Sequence, residues 1–524
     1  MMTSSVKTSQ ILLTTINARY IHAAFGLRYL MSNLGELEEH ASLLEWTIKD
    51  NPTRMVEDVA KRQPTIVGVG VYIWNVDIAT QFVTTLKTLM PEVIVVLGGP
   101  EVSYEMDDMP IVKASDYVIT GEADLAFAEL CRELLSGQRP TTKIIRPVLP
   151  TVDNLAMPYH LYTEHDVSHR VVYVEMSRGC PFRCEFCLSS LEIPVRKFDL
   201  DDFLPAMHSL YEAGLQQFKF VDRTFNLNIA VSQKILSFFL ERVRPGLFLH
   251  FEMVPDRFPE QLRTIVKQFP AGTLQFEVGI QSFDPEVGQR ISRRQNLKKL
   301  EDNLTFLAEE TGVHVHADLI AGLPGESLEG FAKGFDRLLR LRPQEIQVGI
   351  LKRLRGTPIA RHQGEWGLVF NPNSPYEILR TNDVSFDEMQ KMKRFSQLWD
   401  RFANSGNFKK SLPLLWQNTS PFWSFWEFSD WVYTSLGQSH SISLARMMEL
   451  LFRFLIDEKG EDTEVVVESL WEDYAQPGRH KIPAFLRPWV KGRKVPERVN
   501  VEATTKNSPA RQSRHVETEQ TTSN

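Results

Sequence analysis

The first 150 residues alternate short apolar runs with amphipathic stretches, which predicts a parallel sheet with helices on both faces. Runs at 11–16, 41–46, 66–71, 93–97 and 117–119 read as strands, each followed by a helical or turn segment at 23–34, 52–63, 77–90, 106–114 and 123–135. Five such units make a doubly wound α/β domain over 11–145, behind a flexible polar N-terminus at 1–10. Ligands of such sheets bind beyond the carboxyl ends of the strands, which singles out the loops 17–22, 72–75, 98–101 and 121–124. After a linker at 146–170 the rhythm resumes, with strands expected at 171–176, 217–221, 247–253, 274–280, 314–320 and 345–351. Six βα units make an open, partial (β/α)6 barrel over 171–355, whose site groups gather at the strands' carboxyl ends. Beyond it, 356–500 reads as a mainly helical domain with amphipathic helices at 386–403 and 442–456. Its aromatic run from Trp416 to Trp431 reads as core or domain interface, the alternative being a pocket for an apolar or planar substrate. The polar residues 501–524 read as a disordered tail.

Composition narrows the class. The 524 residues, 43% hydrophobic and 24% charged, are those of a globular protein long enough for several cores. No apolar run approaches the roughly 18 residues of a membrane span, and the N-terminus lacks a basic start and apolar h-region. No membrane anchor and a cytoplasmic location are therefore expected. The net charge of −7 provides no overall basic field for nucleic acid. Lys409-Lys410 and the basic run from Lys491 to Lys494 read as solvated surface.

Three of the four cysteines, Cys180, Cys184 and Cys187, fall in the segment Ser177-Arg-Gly-Cys-Pro-Phe-Arg-Cys-Glu-Phe-Cys187. Such clustering speaks for a metal site in a reducing compartment rather than a disulfide framework. Structural zinc usually takes four protein ligands, whereas a 4Fe-4S cluster held by three thiolates leaves one iron open. A zinc knuckle completed by His165 or His169 is the alternative on spacing alone. The isolated Cys131, in a helical stretch, reads as a buried apolar residue. The CxxxCxxC spacing with Phe186 before the last cysteine resembles the cluster loop of the radical S-adenosylmethionine (SAM) enzymes. That resemblance implies an open iron chelating SAM and reductive cleavage to a 5'-deoxyadenosyl radical. It also implies an electron donor such as flavodoxin or ferredoxin.

Four further segments, in order after the cysteines, resemble the SAM contacts of the branch that contains the coproporphyrinogen dehydrogenases and methylthiotransferases. HFEMVPD supplies Glu252, FEVGIQSFD supplies Gln281, QRISRRQN supplies Arg293 and DLIAGLPGES supplies Asp318. The resemblance implies that Glu252 binds the methionine end or the ribose and that Gln281 contacts the ribose. Arg293 would pair with the methionine carboxylate, and Asp318 would accept from ribose hydroxyls. One match departs from the pattern: the Gly-Gly-Glu turn of many relatives is here the sequence from Phe220 to Phe225, where Asp222 supplies a carboxylate.

In the first domain, LGGPEVS and VITGEADLAF resemble the cobalamin-binding domain that precedes the radical domain in cobalamin-dependent radical SAM enzymes. This implies a flavodoxin-like fold with the nucleotide tail of cobalamin running past Gly98, Gly99 and Glu101, and Gly121 and Glu122 nearby. The DxHxxG motif that supplies a lower axial histidine is absent, and His22 reads as structural. A domain of the same topology without cobalamin is the alternative. The C-terminal region resembles an uncharacterised domain attached to some of these enzymes. The expected activity is methyl transfer to an unactivated centre of a small-molecule or peptide substrate. Radical cyclisation or rearrangement, and a cobalamin-binding regulator with a structural cluster, are the other readings.

Overall fold

Strict alternation along the apolar runs gives the first sheet two buried faces. The strands are β1 (Ile11–Asn17), β2 (Ala41–Thr47), β3 (Ile66–Gly70), β4 (Ile94–Gly98), β5 (Tyr117–Ile119) and β6 (Ile144–Ile145), all parallel, in the order β2-β1-β3-β4-β5-β6. Helices α1 (Phe25–Ser32), α2 (Pro52–Ala60), α3 (Val76–Leu89), α4 (Pro110–Ala114) and α5 (Asp124–Leu135) follow β1 to β5 in turn. Leu12, Val67 and Val95 pack on one side with Met55, Phe82 and Ile111 of α2, α3 and α4. Their neighbours Leu13, Ile66 and Ile94 pack on the other with Leu27 of α1 and Phe127 and Cys131 of α5. The expected flavodoxin-like order is thus present, with β6 added at one edge; two residues are too few to show a periodicity. Cys131 is fully buried, and burial pushes its thiol up to about 12.

This computed structural model describes residues 9–191, 194–475, 481–495, 511–512 and 514–515. The chain packs as two units, one of residues 1–223 with 352–360 and 371–377, the other of the remainder. Most of the expected flexible N-terminus, residues 1–8, lies outside the described residues; Ser9 shares a hydrogen bond with Ser42 at 2.7 Å.

Within the first unit, the stretch read as a linker is held by charge. Its helix α6 (Glu164–His169) opens on a capping box between Thr163 and Asp166. Asp166 and Glu45 then pair with Arg28 and Arg170 at 2.7 to 3.2 Å, all four side chains being buried. The unit continues through β7 (Val172–Val174), β8 (Ser177–Arg178), β9 (Arg196–Lys197), α7 (Leu200–Glu212) and β10 (Gln217–Phe220). β7 and β10 pair in parallel, and β8 and β9 form an antiparallel clip.

The second unit carries the rest of the βα succession: α8 (Ile229–Leu240), β11 (Phe248–Met253), α9 (Glu260–Val266), β12 (Leu274–Gln281), α10 (Pro285–Arg290), α11 (Leu297–Glu310), β13 (His314–Ala321), α12 (Leu328–Arg340) and β14 (Glu345–Ile350). Strands β11 to β14 are parallel neighbours, so all six strands expected over 171–351 exist. After the short antiparallel pair β15 (Val369–Phe370) and β16 (Ile378–Arg380) come α13 (Phe386–Phe402), α14 (Pro421–Leu436), α15 (Leu444–Arg453) and α16 (Thr463–Tyr474). The phenylalanines of the aromatic run, Phe422, Phe425 and Phe428, are core, whereas Trp423 is exposed and Trp416, Trp426 and Trp431 are half-buried. Phe422 and Phe425 of α14 meet Phe395 and Trp399 of α13 with ring centroids 4.9 to 5.1 Å apart, and Phe335 of α12 joins at 4.7 Å from Trp399.

Within the expected disordered tail only Arg511, Gln512, Arg514 and His515 are described, all helical. Arg511 pairs with Glu345 at 2.9 Å and with Asp400 at 2.5 Å, while Lys409 donates to the carbonyls of Arg514 and His515. The rest of 501–524 lies outside the described residues. No helix among the described residues is long and apolar enough to cross a membrane.

Candidate functional site

The cysteine loop begins directly after β7 and is fixed at its root. The β8–β9 clip sets Ser177 opposite Lys197 and Arg178 opposite Arg196. Gly179, with φ +89, then turns the chain into Cys180. Asp222, just past β10, accepts from the Met176 N–H at 3.0 Å and the Ser177 hydroxyl at 2.6 Å. Its carboxylate is therefore engaged in holding this root, not offered to a ligand as the sequence pattern implied. Burial pushes that carboxyl up to about 7.

Cys180 and Cys184 are buried and Cys187 is half-buried; none is in a disulfide. The Cys187 N–H donates to the Cys184 carbonyl at 3.1 Å, and the Ser190 hydroxyl donates to the Cys187 carbonyl at 2.7 Å, which closes a compact turn around the last two thiols. The Ile359 N–H reaches the Glu185 carbonyl at 3.0 Å and tethers the loop's middle. Three sulfur donors on one tethered loop fit an iron-sulfur cluster. His165 and His169, the alternative zinc ligands, lie on α6, stacked on each other 4.8 Å apart, and His165 bonds the Tyr20 hydroxyl at 3.0 Å. Among the described residues, no three His, Cys, Asp or Glu side chains converge on one metal ion.

A cavity of about 420 Å³ opens at the carboxyl ends of β3, β4 and β5. Gly98, Gly99, Gly121 and Glu122 line it together with Gly68, Gly70 and Tyr72. The same cavity is lined by Ser177, Arg178 and Gly179 before the first cluster cysteine and by Leu188 and Ser189 after the last. Gly99 has φ +107, and a Cβ there would stand 2.5 Å from the Val71 carbonyl oxygen, so no other residue fits. At Gly121, φ +66, a Cβ would meet nothing within 4 Å. Bare backbone bordering open space is the form of a cradle for a large ligand such as cobalamin.

Glu101 does not line the cavity. It is 4% exposed, and its carboxylate accepts from Arg355 Nε at 2.9 Å and from the Tyr376 hydroxyl at 2.6 Å. His22 has a structural partner, the Tyr173 hydroxyl, at 2.6 Å.

In the second unit the four residues matched to SAM contacts fall into one neighbourhood. Parallel register sets Glu252 beside Glu277 on β12, and Gly279 beside Asp318 on β13. Gly279 is the pivot: Arg293 donates to its carbonyl, and Gln295 does so at 3.0 Å. A Cβ on Gly279 would lie 2.6 Å from Gln281 Nε2 and 3.0 Å from Arg293, so glycine lets both side chains close over the strand. Gln281 sits at φ +72, next to a register shift. Gln281 Oε1 and Asp318 Oδ1 are buried without a hydrogen-bond partner; His316 Nε2 is 3.4 Å from the latter but outside bonding geometry. Desolvation, Glu277 and Glu252 raise the Asp318 carboxyl well above the usual range, against the pull of Arg293.

Carboxylates crowded beside one guanidinium, with two unsatisfied acceptors, suit a ligand that brings cationic charge and hydroxyl donors. SAM, with its ammonium, sulfonium and ribose, is such a ligand. Glu277 was not singled out from the sequence, although it sits two residues before Gly279 and thus on the same strand face as Gln281's approach. Arg178 was likewise missed, because two of its three carboxylate partners, Glu122 and Asp124, lie more than 50 positions away in the chain.

Three family matches tile the chain: the B12 binding domain over 11–131, the radical SAM superfamily over 174–338, and a protein of unknown function, DUF4080, over 364–522. An uncharacterized methyltransferase of Pyrococcus horikoshii is 27% identical over 338 residues, 58% of this chain and 70% of the relative. The cobalamin-dependent radical SAM methyltransferase TokK of Streptomyces tokunonensis is 24% identical over 333 residues, 55% of this chain and 47% of its own. The structure of the radical SAM methyltransferase TsrM of Kitasatospora setae, with cobalamin and a 4Fe-4S cluster bound, aligns with a TM-score of 0.56 at 19% identity and covers 74% of this chain and 82% of that one. That last likeness is one of fold. With a cysteine loop, a carboxylate-rich strand-end site and a glycine-lined cavity each lying inside the matching regions, the chain carries a B12-binding domain followed by a radical SAM domain.

Proposed function

We propose that the protein is a cobalamin-dependent radical SAM methyltransferase acting on an unactivated centre of a small-molecule or peptide substrate. One observation carries this reading: in the first unit a single cavity is lined both by the glycine loops of the B12-binding domain and by the two ends of the cysteine loop. A binder with a merely structural cluster has no use for that arrangement. Cys180, Cys184 and Cys187 would hold the cluster. Glu252, Gln281, Arg293 and Asp318, with Glu277, would hold SAM, and Gly98, Gly99, Gly121 and Glu122 would border cobalamin. When bound, these groups supply reductive cleavage of SAM, hydrogen abstraction from the substrate and a transferable methyl group.

The chain's own contribution is placement and exclusion of water. Phe25, Leu27, Leu30, Val69 and Phe127 give the cavity an apolar floor. Arg293 presents a guanidinium suited to bidentate pairing with a carboxylate. The buried Asp318 oxygen presents an acceptor to ribose hydroxyls. A one-electron reductant is required, and a flavodoxin or ferredoxin in the cytoplasm is the proposed donor.

Product analysis separates methyl transfer from cyclisation or rearrangement. Supplied anaerobically with SAM, reductant, hydroxocobalamin and substrate-containing extract, the enzyme is expected to release both 5'-deoxyadenosine and S-adenosylhomocysteine. Release of 5'-deoxyadenosine with no corrinoid-dependent S-adenosylhomocysteine would contradict methyl transfer and favour rearrangement.

A further inference from the structure

We propose that Arg178 is a positioning residue that couples the two cofactor loops of the first unit, so that the cluster and cobalamin bind cooperatively. The inference rests on the functional reading above. Arg178 stands two residues before Cys180, and its side chain is 12% exposed. Its guanidinium meets Glu175 at 2.8 Å, Glu122 at 2.9 Å and Asp124 through two nitrogens at 2.9 and 3.1 Å. It also lies over the Tyr29 ring of α1, 4.3 Å from its centroid.

Glu122 belongs to the turn between β5 and α5 and Asp124 is the first residue of α5; both line the cavity beside Gly121. From the opposite strand of the clip, Arg196 also donates to Glu122 and, at 2.7 Å, to the Pro150 carbonyl. Two buried carboxylates, Glu175 and Asp124, and the half-buried Glu122 thus face two guanidiniums, and these tie the cobalamin-side turn to the root of the cysteine loop. The turn itself is placed by the Gly121 N–H donating to the Ser103 hydroxyl at 3.0 Å.

Removing Arg178 would leave carboxylates buried without their counter-charge, which such a cluster does not tolerate in its present form. A ligand that orders 121–124 therefore orders Glu122 and Asp124, then Arg178, then the path of Gly179 into Cys180. A cluster that fixes Cys180 acts in the reverse direction, and linkage makes the two effects equal in binding free energy.

The test measures hydroxocobalamin affinity of the full chain, anaerobically, with and without a reconstituted cluster. The native protein is expected to bind roughly tenfold more tightly when the cluster is present. In Arg178→Gln that ratio is expected to fall to about one. A merely structural role would weaken both forms alike and keep the ratio, which would overturn the proposal. Equal affinities in the native protein would also overturn it while leaving corrinoid binding, and hence the functional reading, intact. Absence of corrinoid binding in both native forms would remove the two together. Should Arg178→Gln fail to fold, Asp124→Asn breaks the same tie from the other end, with the same expectation for the ratio.

Discussion

Glu326 shows how the second unit stores an ionisable group at a cost. It is 4% exposed, its Oε1 accepts from the Ser282 hydroxyl at 2.5 Å, and its Oε2 is buried without a partner. Burial, opposed by that hydrogen bond, pushes its carboxyl up to about 8 from an ordinary 4.5. Between those two values the folded state keeps a proton that the unfolded state has released, so stability falls as pH rises through the window. Glu326→Gln removes the titration. Its melting temperature is expected to exceed that of the native protein near pH 8 and to decline less between pH 5 and 8. An unchanged slope would show that Glu326 ionises freely. The cavity glycines differ in the same concrete way. Gly99→Ala drives a Cβ into the Val71 carbonyl at positive φ and should destabilise by about 2 kcal/mol or more in urea unfolding. Gly121→Ala meets no atom, so about 1 kcal/mol of backbone strain is expected, with a marked loss of hydroxocobalamin affinity.

Elements formed where local pattern and burial agree were legible in advance. Each strand of the first sheet sends alternate residues such as Leu12 and Leu13 to opposite cores, which is what its apolar run requires. Phe422 and Phe425, one helical turn apart, lie on the buried face of α14 against α13. Sequence pattern failed where a side chain's partner is remote. Glu101 reads as a ligand-loop carboxylate, yet Arg355 and Tyr376, some 250 positions on, claim it. Arg355→Ala would strand that buried charge and is expected to cost roughly 3 kcal/mol, seen as a lower urea midpoint. An unaltered midpoint would mean that Glu101 finds water or takes up a proton instead. Asp222 misled for the same reason, since nothing local announces its bonds to Met176 and Ser177. The cysteines, by contrast, are chemistry carried by spacing alone.

Across the molecule, three matched regions divide the labour. The first and second supply a glycine-lined cavity, a tethered trio of thiols and a carboxylate-rich strand-end site, while the third adds helices built around an aromatic core. Each site is legible by itself, and their combination defines a radical enzyme with two further cofactors. The decisive measurement is 5'-deoxyadenosine formation by the anaerobically reconstituted protein with dithionite and SAM, run beside Cys184→Ala. The native protein is expected to form 5'-deoxyadenosine, and Cys184→Ala to lose both that product and the cluster's absorbance. No product from native protein holding an intact cluster, or equal product from Cys184→Ala, would contradict the assignment.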